Sequence, residues 1–264
     1  MSQHEQLLTY CKSLRLPSLG EVLAETLLRA EREAWSLETC LLHLLESEVE
    51  GRRRRRIERL LQQSQLPPGK TLAQFDQSRL PVRIRRLLPQ LQTGDFVDRC
   101  QNLLFFGLPG TGKTHCAAGL GHALIESGRS VLFLPTFKLV GRLLAAKRDY
   151  ALERELRQLD RFEVVILDDI GYVQQSREEM EVLFTFLAER YERRSLMITS
   201  NLVFSEWNKI FKDPLTTAAA IDRIVHHSII IEFGKEIKSL RMEAAAQRNQ
   251  QPLLTLNPEQ PAVG

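Results

Sequence analysis

Asn102-Leu103-Leu104-Phe105-Phe106-Gly107-Leu108-Pro109-Gly110-Thr111-Gly112-Lys113-Thr114-His115 is the stretch on which the reading of this 264-residue chain turns. Its first five residues form an apolar run of the length of a buried strand. Residues 107–114 then match G-x-x-x-x-G-K-[ST] in full. From 115 to 127 the chain is rich in Ala, Gly and Leu, which predicts a helix that stops at Gly128. Strand, glycine loop and helix N-terminus follow in the order a phosphate-binding loop requires. Gly107, Gly110 and Gly112 permit backbone angles that side chains forbid, so successive N–H groups can turn towards one anion. The positive end of the helix adds to that field. Gly107, Pro109, Gly110, Thr111, Gly112, Lys113, Thr114 and His115 are therefore the candidate nucleotide contacts. Lys113 supplies a point charge for the β- and γ-phosphates of ATP, and the Thr114 hydroxyl a hard oxygen for Mg²⁺.

Downstream, four more apolar runs predict strands at 130–134, 163–169, 195–201 and 228–233. The strand at 163–169 ends in Asp168-Asp169, the Walker B arrangement beside a phosphate loop. Asp168 would hold Mg²⁺, and Asp169 would orient the attacking water as a base. Asn201, at the end of the next strand, is a candidate for reaching the γ-phosphate or that water; a strand-end turn residue is the alternative. Phe75 or Phe96 can pack against adenine or serve as core. Ser176-Arg177-Glu178-Glu179 is a capping box that opens a helix. Strands alternating with helices predict an α/β fold with a five-stranded parallel sheet.

Ahead of this region, residues 4–62 read as helices. Apolar stripes run through Leu7, Leu8, Cys11 and Leu14, then Val22, Leu23, Thr26, Leu27 and Ala30, then Leu37, Leu41, Leu42, Leu44, Leu45 and Val49. Ser36 is the expected N-cap of the third helix. The expected division is a small helical domain at 1–65, a nucleotide-binding domain at 66–248 and a disordered tail at 249–264.

Net charge is only +3, but it is unevenly spread. Residues 1–50 hold 4 Lys/Arg against 9 Asp/Glu, whereas residues 51–90 hold 11 against 2. Arg52, Arg53, Arg54, Arg55 and Arg56 concentrate that second block and are candidate DNA phosphate contacts. Five adjacent arginines point all round a helix, so only some can face one partner. The stretch 136–158 is expected to be helical and longer than one crossover helix needs. His226 and His227 are adjacent and would face apart if helical, which argues against a shared metal ion there. Cys11, Cys40, Cys100 and Cys116 form no C-x-x-C pair, so neither a disulfide framework nor a zinc site is indicated. No apolar run reaches about 18 residues, so no membrane span is expected, and a cytoplasmic location is.

Taken together, residues 107–114, Ile166-Leu167-Asp168-Asp169-Ile170-Gly171, Thr199-Ser200-Asn201 and Ala220-Ile221-Asp222-Arg223-Ile224 resemble the AAA+ branch of P-loop ATPases. Within it, the chain resembles IstB-like proteins, the ATPase helpers of insertion-sequence transposases, which are related to DnaC-like helicase loaders. The resemblance implies a fourth strand between the first and third, and ATP bound between subunits of a homo-oligomer. It implies Arg223 as the arginine finger and Asn201 as the polar sensor. It places a DNA-contacting insertion at 136–158, with Lys138, Arg142, Lys147 and Arg148. The implied task is to bind and deform double-stranded target DNA and then engage a transposase. A helicase loader, or a DNA-binding scaffold with ATP as assembly switch only, are the alternatives. Two departures stand out. Asp169 occupies a position that is usually Glu, and the C-terminal region is short for a helical lid, leaving Arg241 a weak sensor candidate.

Overall fold

The computed structural model describes residues 2–172, 176–202, 206–207 and 214–234. The last stretch of the expected nucleotide-binding domain, 235–248, with Arg241, and the tail at 249–264 lie outside the described residues. Five strands, β1 (Asn102–Gly107), β2 (Val131–Pro135), β3 (Val164–Asp168), β4 (Ser195–Ser200) and β5 (Ser228–Phe233), form one sheet. Every pairing is parallel and the order is β2-β3-β4-β1-β5. The fourth strand thus lies between the first and third, as the resemblance implied.

Parallel strands need crossover connections, and these cover both faces with helices. That explains why β1, β3 and β4 read as continuous apolar runs. Side chains still alternate across the sheet. Leu103 and Phe105 of β1 join Ile166 and Met197 on one face. That face packs on α4 (Val82–Gln92) and α6 (Lys113–Glu126), through Ile84, Leu88, Leu120 and Leu124. Leu104 and Phe106 point the other way, to α7 (Thr136–Arg148), α8 (Leu152–Leu159), α9 (Arg177–Arg190) and α10 (Pro214–Val225). A short helix, α5 (Asp95–Asp98), precedes β1.

The stretch 136–158 is two helices rather than one. α7 ends at Arg148, Tyr150 takes a left-handed backbone at φ 53°, and α8 restarts at Leu152. Leu139, Val140 and Leu143 of α7 and Leu159 of α8 bury against the sheet.

The N-terminal helices are α1 (Gln3–Ser13), α2 (Pro17–Arg32) and α3 (Leu37–Ser64). Ser36 caps α3 by accepting from the Thr39 N–H. α2 and α3 approach closely at Gly51, where a Cβ would lie 1.9 Å from Ser18 Oγ. Their shared core is small: Leu23, Cys40 and Leu44. The third apolar stripe is consequently not a buried one. Leu44 is buried, whereas Leu37, Leu41, Leu42, Leu45 and Val49 are exposed. Two short helices cannot cover a face that winds around α3. The far half of α3 instead reaches the sheet domain, with Leu60 in the core beneath α6 and Ile57 packed against it.

Candidate active site

The loop after β1 has the backbone that its glycines predict. Gly107, Gly110 and Gly112 have φ of 152°, 81° and 102°. Two of them also face close neighbours. A Cβ on Gly107 would lie 2.7 Å from Phe233, and one on Gly112 2.8 Å from the Phe75 ring. Thr111 fastens the turn by donating to the Leu108 carbonyl at 2.8 Å.

Lys113 opens α6 and is buried. Its ammonium donates to the carbonyls of Gly107 and Leu108, each at 2.8 Å, and to Asn201 Oδ1 at 2.6 Å. Strand order brings Asn201 here, because β4 runs beside β1 and ends level with the loop. The same amide donates through Nδ2 to Asp169 Oδ1 at 2.9 Å. Asn201 therefore bridges the lysine and the second carboxylate.

On the other side, Thr114 Oγ1 donates to Asp168 Oδ1 at 2.8 Å. Thr199 Oγ1 donates to the same oxygen at 2.6 Å and accepts from the Asp169 N–H at 2.9 Å. Thr136 Oγ1 donates to the Asp168 carbonyl at 3.0 Å. Asp169 has φ 63°, the left-handed region that Asp tolerates better than most residues. Thr199 and Thr136 hold the Asp168-Asp169 backbone in place. Thr199 was not assigned a role from sequence; a hydroxyl residue near the end of the strand neighbouring Asp168 was the available signal.

A glycine cradle that side chains would fill, ending at a helix N-terminus with a lysine, fits a polyphosphate. A threonine hydroxyl touching a carboxylate is a hard-oxygen donor set that fits Mg²⁺. His115 Nε2 lies 2.9 Å from the Thr71 carbonyl, and its ring sits 4.9 Å from that of Phe75. Phe75 thus flanks the loop. Phe96 lies at the other end of β1, where its carbonyl accepts from the Gln101 N–H, so of the two it is Phe75 that stands beside the glycine loop.

Arg223 is not in this group. The next residue, Ile224, accepts at its carbonyl from Asn102 Nδ2 at 3.1 Å, at the start of β1. The Arg223 guanidinium lies over the Phe184 ring of α9, 4.7 Å from its centroid.

The arginine run is also away from the loop, and it is divided. Arg52 and Arg55 both pair with the buried Glu48, at 2.9 and 3.2 Å. Arg55 also donates to Ser18 Oγ at 2.6 Å, and Arg56 to the Gly128 carbonyl at 2.9 Å. Arg53 lies 3.9 Å from Glu50, and Arg54 is exposed without a partner among the described residues. Of the basic residues on α7, Arg142 pairs with Glu155, and Lys147 with Glu181 at 2.9 Å. Lys138 and Arg148 are exposed.

His226 and His227 do not face apart. They form the turn between α10 and β5, and their ring centroids are 4.3 Å apart.

Residues 9–247 match the family model described as IstB-like ATP binding protein. The chain is 43% identical to an insertion sequence ATP-binding protein of Sinorhizobium fredii, over 89% of this chain and 80% of that one. It is 36% identical to the insertion sequence IS21 ATP-binding protein of Pseudomonas aeruginosa, over 96% of each chain. Among solved structures it is similar in fold to DnaI, with a TM-score of 0.54 and 20% identity. That match covers 64% of this chain and 95% of the other. No described helix is long and apolar enough to cross a membrane.

Proposed function

The chain belongs to the family of IstB-like ATP binding proteins, and from that premise we propose that it is a DNA-stimulated ATPase of insertion-sequence transposition. In this reading it assembles on double-stranded target DNA as a homo-oligomer, deforms that DNA and engages a transposase. The observation that carries the hydrolytic part is Asn201, whose one amide touches both Lys113 and Asp169.

With ATP as substrate, Lys113 exchanges its carbonyl partners for phosphate oxygens, and the loop N–H groups hold the rest of the polyphosphate. Thr114 and Asp168 would hold Mg²⁺, which when bound draws charge off the phosphate oxygens. Asp169 orients and deprotonates the attacking water, and Asn201 keeps that carboxylate aligned with the lysine. Arg223 serves a neighbouring subunit.

Arg53, Arg54, Lys138 and Arg148 support the DNA part, since among the described residues no close ion pair consumes their charge. The exposed apolar stripe of α3 supports a protein partner, because contiguous apolar patches mark such surfaces. ATP turnover measured with and without duplex DNA tests the proposal. Stimulation by duplex DNA is expected. Turnover at the uncatalysed rate under both conditions would leave ATP as an assembly switch only.

A further inference from the structure

At the end of the sheet opposite the phosphate loop, the turn after α9 meets the turn between α10 and β5. Glu192, His226 and His227 come together there, each offering a ligand atom within 4.8 Å of the others. We propose that these three residues form a binding site for a divalent transition-metal ion of the zinc class. The phosphate-loop chemistry uses none of them, and the assignment does not depend on the ATPase reading.

Two imidazoles and one carboxylate are a donor set suited to Zn²⁺, Co²⁺ and Ni²⁺ rather than Mg²⁺. A tetrahedral ion about 2.0–2.2 Å from each ligand needs ligand atoms about 3.3 Å apart. His227 Nε2 and Glu192 Oε1 already stand 3.1 Å apart. His226 is exposed, so its ring can turn the remaining distance. Tyr191 lies with its hydroxyl 3.0 Å from His226 Nδ1, so an outer partner is at hand to fix that ring.

The backbone beneath is fixed. Asn102 N–H donates to the His227 carbonyl at 2.7 Å, and His226 N–H to the Asp222 carbonyl at 3.0 Å. Glu192 is held in the left-handed region at φ 56°. A single Glu192–His227 ion pair accounts less well for the second histidine. One divalent ion takes a lone pair from each of the two rings, whose centroids are 4.3 Å apart, together with the carboxylate. Such an ion would tie the end of α9 to the end of α10.

The test uses the nucleotide-free full chain. Zn²⁺ is titrated by calorimetry, and Co²⁺ is followed by its visible absorption. One site of micromolar affinity is expected, with a rise in Tm when Zn²⁺ is added. His226→Ala and Glu192→Gln should each weaken it about tenfold or more, while Asp168→Asn should leave it intact. His226→Cys should keep the ion and add a thiolate-to-cobalt charge-transfer band in the near ultraviolet. Absence of Zn²⁺ binding would overturn the proposal. So would affinity unchanged in His226→Ala, or a site lost with Asp168→Asn.

Discussion

Asp169 holds its carboxylate on a left-handed backbone, which costs about 1–3 kcal/mol where a residue is ill suited to it. The expense is met locally: Thr199 takes the Asp169 N–H, and Asn201 donates to its side chain. An asparagine at 169 keeps the shape and an acceptor for Asn201, but has no charge with which to accept a proton. Asp169→Asn is therefore expected to bind ATP as the parent does while turnover falls about 10²-fold or more. Equilibrium binding and steady-state phosphate release measure the two separately; undiminished turnover would reduce Asp169 to a strand-end residue. Glu48 is the other residue whose charge is committed. Burial raises its pKa, but hydrogen bonds from Arg52 and from the N–H groups of Leu19 and Ser18 outweigh that, leaving it below the ordinary 4.5. Because the folded value is depressed, its contribution is present above the unfolded value and disappears as pH falls through the folded one. Glu48→Gln should cost about 2 kcal/mol at pH 7, and the gap to the parent should close below pH 4.5. Urea denaturation at pH 7 and in mild acid reads this, and a pH-independent gap would show that the carboxylate charge contributes nothing.

α3 shows where sequence patterns stop informing. Its N-cap at Ser36 and its helical character were readable, because capping and helical periodicity are local. Which of its leucines are buried was not, because that depends on how much surface α1 and α2 can cover. The same limit appears at the break between α7 and α8, a left-handed Tyr150 that no glycine announces, and at His226-His227, whose turn depends on where α10 ends. The strands and the phosphate loop were readable because a strand buried on both faces and a glycine cradle are each written in consecutive residues. Thr199 was missed because its role exists only across strands. The five arginines of α3 follow this rule too: adjacency suggested one role, and contacts divide them. Arg55→Ala should destabilise the packing of α2 on α3 by about 1–2 kcal/mol, with little change in the salt dependence of DNA binding. Arg53→Ala with Arg54→Ala should leave stability near the parent value. It should weaken binding to all duplex sequences alike and reduce the salt slope by about 2. Fluorescence anisotropy across a salt series, beside thermal melts, separates the two, and an unmoved slope in the double variant would make the run a solvated face.

At the scale of the whole molecule, the sheet separates the phosphate loop from Arg223. The loop leaves the C-terminal end of β1, while Arg223 precedes Ile224, which is pinned to Asn102 at the other end. Six residues of strand span about 17–20 Å, more than an arginine side chain can bridge. The transferring phosphoryl group spreads charge over its oxygens, and a guanidinium stabilises it in a way an ammonium cannot. Neither the loop nor the Asp168-Asp169 pair offers an arginine, so a neighbouring subunit is the source in the proposed assembly. In one chain the Arg223 guanidinium rests on the Phe184 ring, 4.7 Å from its centroid, and Nη1 is buried without a hydrogen-bond partner among the described residues, so reaching a partner's phosphate requires the side chain to turn outward. Arg223→Ala should bind ATP normally and lose about 10³-fold or more in turnover. Lys113→Ala should be inactive because it cannot hold the substrate, yet it still carries the arginine. An equal mixture of the two on DNA joins the working loop of one variant to the intact Arg223 of the other. Random head-to-tail assembly makes about one quarter of the sites complete. Recovery near that fraction, present with DNA and absent without it, is the expected result. Full activity of Arg223→Ala alone, or no recovery in a mixture shown to co-assemble, would remove Arg223 from the mechanism.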